Sequence, residues 1–136
     1  MLQAPFLSSG NQGNSRAIPG ALFHFLATGE QTNNQFSLIY IEVHKGNEPP
    51  PHTHRNEDEN YYILEGQIRF WVGNDVFVLK AGDFIHLPKN IPHRFELQSE
   101  CVKELMWMTP PGLEKWFWDN SAPAPGMQPL PLMKEP

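Results

Sequence analysis

The chain has 136 residues, a length that fits one domain with a core large enough to fold unaided. Charged residues make up 18% and hydrophobic ones 40%, with 9 Phe, 4 Trp and 3 Tyr, the balance of a folded domain and not of a disordered one. The formal net charge is -5 and no Lys/Arg cluster stands out, so no basic stripe exists to neutralise phosphates and no nucleic-acid partner is expected. Cys101 is the single cysteine, which excludes an internal disulfide and a Cys-rich zinc site. The opening MLQAPFLSSGNQGNS lacks the basic start and long apolar run of a signal peptide, and no stretch approaches the roughly 20 apolar residues of a membrane span. The expected compartment is the cytoplasm, with the lone thiol reduced.

Residues 1–20, rich in Ser, Asn, Gly and Gln, read as a loose N-terminal arm. From there to residue 120 the chain is short apolar runs separated by turn residues: ALFHFLAT (21–28), QFSLIYIEVH (35–44), NYYILEG (60–66), QIRFWVG (67–73), NDVFVLKAGD, FIHLP (84–88), HRFELQ (93–98) and VKELMWM (102–108). Their Ile, Val, Phe, Tyr and Trp content and short length favour strands over helices. Gly66, Gly73 and Gly82 punctuate them as tight turns between antiparallel strands do. Many short strands with regular turns indicate an all-β sandwich or small barrel. PPGLEKWFWDN (110–120) opens with prolines and predicts one short C-terminal helix. The Pro-rich tail SAPAPGMQPLPLMKEP (121–136) is expected to be mobile or to lie as an extended arm on the domain or on a partner.

The chemistry concentrates in PPPHTHRNEDENYYILEG (49–66). On extended backbone His52 and His54 project to one side and Thr53 to the other, so the two imidazoles can chelate one divalent ion. The prolines before them restrict the chain and lower the entropy cost of presenting the pair. A third ligand is expected among Glu57, Asp58 and Glu59, with strand alternation favouring Glu59 only weakly. A fourth must come from another strand, where His86 and His93 are the candidates.

Gly46, His52, His54, Glu59 and Gly66 fit the pattern G-x5-H-x-H-x4-E-x6-G, and Gly82, Pro88 and His93 fit G-x5-P-x-G-x2-H-x3-N in GDFIHLPKNIPHRFEL. These are the two motifs of the cupin superfamily, which the chain resembles; Asn90 stands where the second motif has glycine and Leu97 where it has asparagine. The phrases AGDFIHLPKNIPHRF and TPPGLEKWF are similar to those of small single-domain, quercetin dioxygenase-like cupins. That resemblance implies a double-stranded β-helix (jelly-roll) barrel holding one metal ion through His52, His54, Glu59 and His93. Independently, three imidazoles and one carboxylate suit Fe, Mn, Ni, Co or Zn and do not choose among them.

The resemblance further implies an oxygenase with Glu59 doubling as the catalytic proton acceptor, and the apolar, aromatic-rich pocket expected there fits a small planar organic substrate better than a sugar phosphate. A metal-dependent isomerase or epimerase and a non-catalytic small-molecule binding module are the alternatives. Tyr61, Ile63, Phe70, Phe84 and Phe95 are expected to line an apolar pocket, and His86 to stay outside the ligand set. His24 and His44 are expected to be structural or exposed, Glu57 and Asp58 to be turn residues, and Trp107, Trp116, Phe117 and Trp118 to pack in the core or an interface. A homodimer is expected, joined through sheet edges that need covering.

Overall fold

A computed structural model describes residues 4–11, 13–124 and 128–132. Among these residues the chain forms ten strands, β1 (Ser15–Ile18), β2 (Ala21–Ala27), β3 (Ser37–His44), β4 (Asp58–Glu65), β5 (Gln67–Val72), β6 (Asp75–Lys80), β7 (Phe84–Leu87), β8 (His93–Leu97), β9 (Cys101–Thr109) and β10 (Ala122–Pro123), with one helix, α1 (Leu113–Asp119). The strands make two sheets. One has seven strands in the order β10-β1-β2-β3-β9-β4-β7 and the other three, in the order β6-β5-β8. Every named pairing is antiparallel.

Alternation along the strands builds the core. On β3, Ile39, Ile41 and Val43 are buried; on β4, Glu59, Tyr61 and Ile63; on β9, Val102, Glu104, Met106 and Met108. From the second sheet Ile68, Phe70, Val72, Leu79 and Leu97 pack against them to close one apolar cluster. Burying each such aliphatic or aromatic side chain contributes about 1.5–3 kcal/mol, which is what holds the two sheets face to face.

Two turn positions show why the sequence bends where it does. Gly66 joins β4 to β5 at φ 92°, and a Cβ there would collide with the carbonyl oxygen of Cys101. Asn90, which departs from the motif's glycine, sits at φ 68°. Asparagine is among the few side chains that tolerate this left-handed conformation, so the substitution keeps the turn. Its backbone N–H donates to the carbonyl of His54 at 2.7 Å, tying the β7–β8 loop to the histidine segment.

The stretch read as a loose arm is not loose throughout, because its last residues form β1, paired on one side with β2 and on the other with β10. Arg16 secures it further: Nε donates to Ser121 Oγ at 3.1 Å and the guanidinium lies 4.7 Å from the Trp118 ring centre. The described part of the tail lies as an extended arm on its own domain, where Gly20 N–H donates to Leu130 O at 2.9 Å and Leu130 N–H to Ile18 O at 3.2 Å. Residues 125–127 and 133–136 of that tail lie outside the described residues. Helix α1 starts without a side-chain cap from Gly112; instead Glu114 accepts from Gly112 N at 2.7 Å and from Gly29 N at 3.1 Å, pinning the helix to the β2–β3 turn.

Candidate metal centre

One nitrogen of each of His52, His54 and His93 and one oxygen of Glu59 all lie within 4.8 Å of one another. Three pieces of backbone bring them there. Glu59 is an inward residue of β4, buried in the core, and His93 is the first residue of β8 in the opposite sheet. The extended segment with His52 and His54 joins the second sheet through a closed pair of backbone hydrogen bonds, His52 N–H to His93 O at 3.0 Å and His93 N–H to His52 O at 2.9 Å. The ring centres of His52 and His93 are consequently 4.3 Å apart, and Thr53 is turned out to solvent.

Two of the three rings are oriented from behind. His52 Nδ1 lies 3.0 Å from Pro50 O, and since a carbonyl only accepts, Nδ1 carries the proton and Nε2 keeps its lone pair. His54 Nδ1 lies 2.9 Å from Glu57 Oε1 and fixes that ring the same way, with Nε2 turned to Glu59 Oε1 at 2.6 Å. His93 Nε2 stands 3.5 Å from Glu59 Oε2. Nε2 of His54 and both ring nitrogens of His93 are nevertheless buried without a hydrogen bond of good geometry among the described residues. His52 and His54, each held from behind by a carbonyl or a carboxylate, His93 with both ring nitrogens buried and unbonded, and the Glu59 carboxylate they face form a donor set that fits a divalent transition ion.

The electrostatics centre on Glu59. Burial pushes its carboxyl up, but the close imidazoles of His54 and His93 outweigh it and hold it down at about 2. The same contact with Glu59 raises His54, while burial lowers His52. Tyr61 donates its hydroxyl to Glu59 Oε2 at 3.1 Å, and burial followed by the charges of Glu59 and Glu104 keeps the phenol protonated well above its ordinary range.

His52, His54 and Glu59 open onto a pocket of about 620 Å³, of a size that holds a small organic molecule. Its wall is mostly apolar, with Phe23, Ile41, Val43, Phe95, Met106 and Phe117 among the contributors, and among the described residues that line it there is no Arg or Lys. Glu104 is the unexpected member. It is buried in this wall, where burial, then the charge of Glu59, pushes its carboxyl up to about 8.

Residues 39–109, just over half of the chain, match the cupin domain family. The chain is a cupin. Among curated relatives it is 29% identical over 113 residues to quercetin 2,3-dioxygenase of Bacillus subtilis, covering 83% of this chain and 34% of that protein. It is 28% identical over 104 residues to quercetin 2,3-dioxygenase of Aspergillus japonicus, covering 71% of this chain and 30% of that one. The cupin thus spans about a third of the length of these relatives. Among solved structures, KdgF from Halomonas sp. superposes with a TM-score of 0.68 at 16% identity, over 82% of this chain and 99% of that one, a likeness of fold.

Within this cupin the remaining candidates separate cleanly. His86 lies outside the quartet, its Nδ1 2.7 Å from Asn60 Oδ1. Asp58, expected to be a turn residue, is instead the first residue of β4 and accepts from Lys89 N–H at 2.8 Å, and Glu57, expected to be another, is the partner of His54. Tyr61 and Phe95 line the pocket as expected. Ile63 and Phe70 do not, being fully buried in the core, and Phe84 points outward on β7 and stacks on Trp107 at 5.4 Å between ring centres. Trp116 and Phe117, expected to serve packing, wall the pocket because the short helix carries them over it. A second donor group, Glu42, His44 and Cys101, lies on the outer face of β3 and β9, but Lys103 Nζ already stands 3.9 Å from Glu42 Oε1 and supplies the cation.

Sequence reasoning missed Glu57 and Glu104. The first gives no local signal, since its role depends on the loop folding back on His54. The second was legible: in VKELMWM the alternation puts Glu104 on the face of Val102, Met106 and Met108, where an acid is out of place.

Proposed function

We propose that this cupin is a mononuclear metalloenzyme whose ion is held by His52, His54, Glu59 and His93, and that it oxygenates a small planar organic molecule. The observation that carries this reading is the convergence of four ligand-type atoms, with unpartnered ring nitrogens, at the wall of an apolar pocket. The similarity to two quercetin 2,3-dioxygenases supports the choice of oxygenation. The lack of Arg or Lys among the described residues of the pocket wall supports a neutral aromatic substrate over an anionic one.

When bound, a divalent transition ion supplies acidity toward a hydroxyl or enol oxygen and, if redox-active, the electron transfer that oxygenation requires. The protein's own part is positional. Pro50 and Glu57 hold the rings of His52 and His54, Tyr61 holds one oxygen of Glu59, and Phe95, Phe117 and Met106 exclude water around the substrate. Glu59 as proton acceptor must exchange its imidazole contacts first, because those contacts favour its charged form and make it a weak base.

The test is elemental analysis of purified protein beside a His52→Ala/His93→Ala variant, followed by oxygen uptake with a flavonol. About one equivalent of metal, lost in the variant, together with flavonol-dependent uptake, is the expected result. Turnover that needs metal but no oxygen would move the reading to an isomerase or epimerase, and binding without turnover to a binding module. Absence of metal after reconstitution sinks the metalloenzyme.

The same reading extends to assembly and place. Two copies are proposed to pair through the exposed edge strand β6, whose Val76, Phe77 and Val78 face solvent. Light scattering that stays monomeric across a dilution series would overturn this. Among the described residues no helix is long and apolar enough to cross a membrane, and the free Cys101 suits the reducing cytoplasm proposed for the protein.

A further inference from the structure

The inward positions of β9 run Val102, Glu104, Met106 and Met108, so an acid stands where the alternation calls for an aliphatic side chain. Its cross-strand neighbours are Ile41 on β3 and Ile63 on β4. Val102, Met106 and Ile63 are fully buried and Ile41 nearly so. Oε2 of Glu104 is buried with no hydrogen-bond partner among the described residues, and the residue lines the pocket. Burying a polar atom without a partner is costly, and natural folds keep few such groups. Packing gives no reason for this one, since methionine has the same reach and suits the neighbours better.

We propose that Glu104 is the polar anchor of a second subsite in the pocket, taking a hydroxyl group of a planar aromatic ligand whose other end faces His52, His54 and Glu59. The planar ligand rests on the function proposed above; the anchor itself does not depend on turnover. Burial keeps the Glu104 carboxyl neutral at neutral pH, so it both donates and accepts. A hydroxyl does the same, and the two groups pair with matched donors and acceptors. A carboxylate ligand would instead meet the charge of Glu59 in a wall whose described residues offer no Arg or Lys. Register sets the reach: Glu59 pairs with Met108, four residues along β9 from Glu104. At roughly 3.3 Å per residue this is about 13 Å along the backbone, comparable with a two-ring molecule carrying a polar group at each end plus the polar contact made beyond each group.

The test compares naphthol with its counterpart carrying a second hydroxyl on the far ring, titrated by fluorescence into metal-loaded wild type, Glu104→Met and Glu104→Gln. Wild type is expected to prefer the two-hydroxyl probe by roughly 10-fold, the scale of one buried hydrogen bond. That preference is expected to vanish in Glu104→Met and to survive in part in Glu104→Gln, whose amide still offers a donor and an acceptor. Glu104→Leu replaces Glu104→Met should the latter not fold. A preference retained in full in Glu104→Met, or in Glu104→Leu where that replaces it, overturns the proposal, and so does a wild type that binds neither probe or binds both alike. Flavonol oxygenation is read separately by oxygen uptake: its absence beside an intact probe preference overturns the oxygenase and supports the anchor.

Discussion

Glu59 and Glu104 are two glutamates of one pocket, each only 2% exposed, and they are driven in opposite directions. Around Glu59 two imidazoles and a phenol meet the carboxylate, and it is held charged down to about 2. Around Glu104 the neighbours are aliphatic, and the acid stays neutral up to about 8. Burial is the same; partners decide the charge. The pocket therefore carries one acid kept charged and one kept neutral.

The harshest way to break this contrast is to remove two of the three imidazoles. His52→Ala/His93→Ala is expected to lose all bound metal, read by elemental analysis per chain. The same variant takes only the His93 contact from Glu59, so its carboxyl should rise in part while His54, 2.6 Å away, still holds it down.

A pH series sharpens the contrast next. Unfolded, each carboxyl ionises near 4.5; folded, Glu104 keeps its proton to about 8. Stability from Glu104 is therefore present below about 4.5 and lost as pH rises toward 8, by a few kcal/mol at most (order of magnitude). Glu59 behaves inversely in the metal-free protein: its contribution is present above about 4.5 and lost as pH falls toward 2. Urea denaturation across pH should show Glu104→Gln flattening the upper limb alone. A wild-type and variant pair with parallel limbs would refute the assignment.

Smaller still is the effect of support from outside the quartet. Glu57→Gln keeps the shape but removes the charge behind His54, and metal affinity measured by chelator competition is expected to fall about 10–100-fold without loss of fold. At the bottom of the scale, Asn90→Gly should change stability by well under about 1 kcal/mol in thermal melts. The left-handed backbone already there is one both residues accept, whereas Asn90→Val should cost about 1–2 kcal/mol.

Much of this was readable from the sequence because period-2 alternation and glycine turns are local. The strands from Ala21 to Thr109 and helix α1 follow the apolar runs closely. Strand β1 was not readable, because four residues beside a Ser- and Asn-rich stretch carry little pattern and gain strand geometry only from β2 and β10. The pocket wall was half legible. Alternation identifies inward residues such as Ile63 and Phe70, but which inward residues border a void depends on how the sheets diverge. Phe84 shows a different limit, since an aromatic at an edge strand can stack outward on Trp107 instead of turning inward. The quartet was legible through spacing, its back support was not: Glu57 reaches His54 only because the loop closes on itself.

The reciprocal backbone bonds between His52 and His93 have a further consequence. Both amides are locked only while the histidine segment lies against the second sheet, so their hydrogen–deuterium exchange clocks the opening of the centre itself. A nuclear magnetic resonance or mass-spectrometric time course at those two sites would follow that opening with no substrate, chromophore or turnover required.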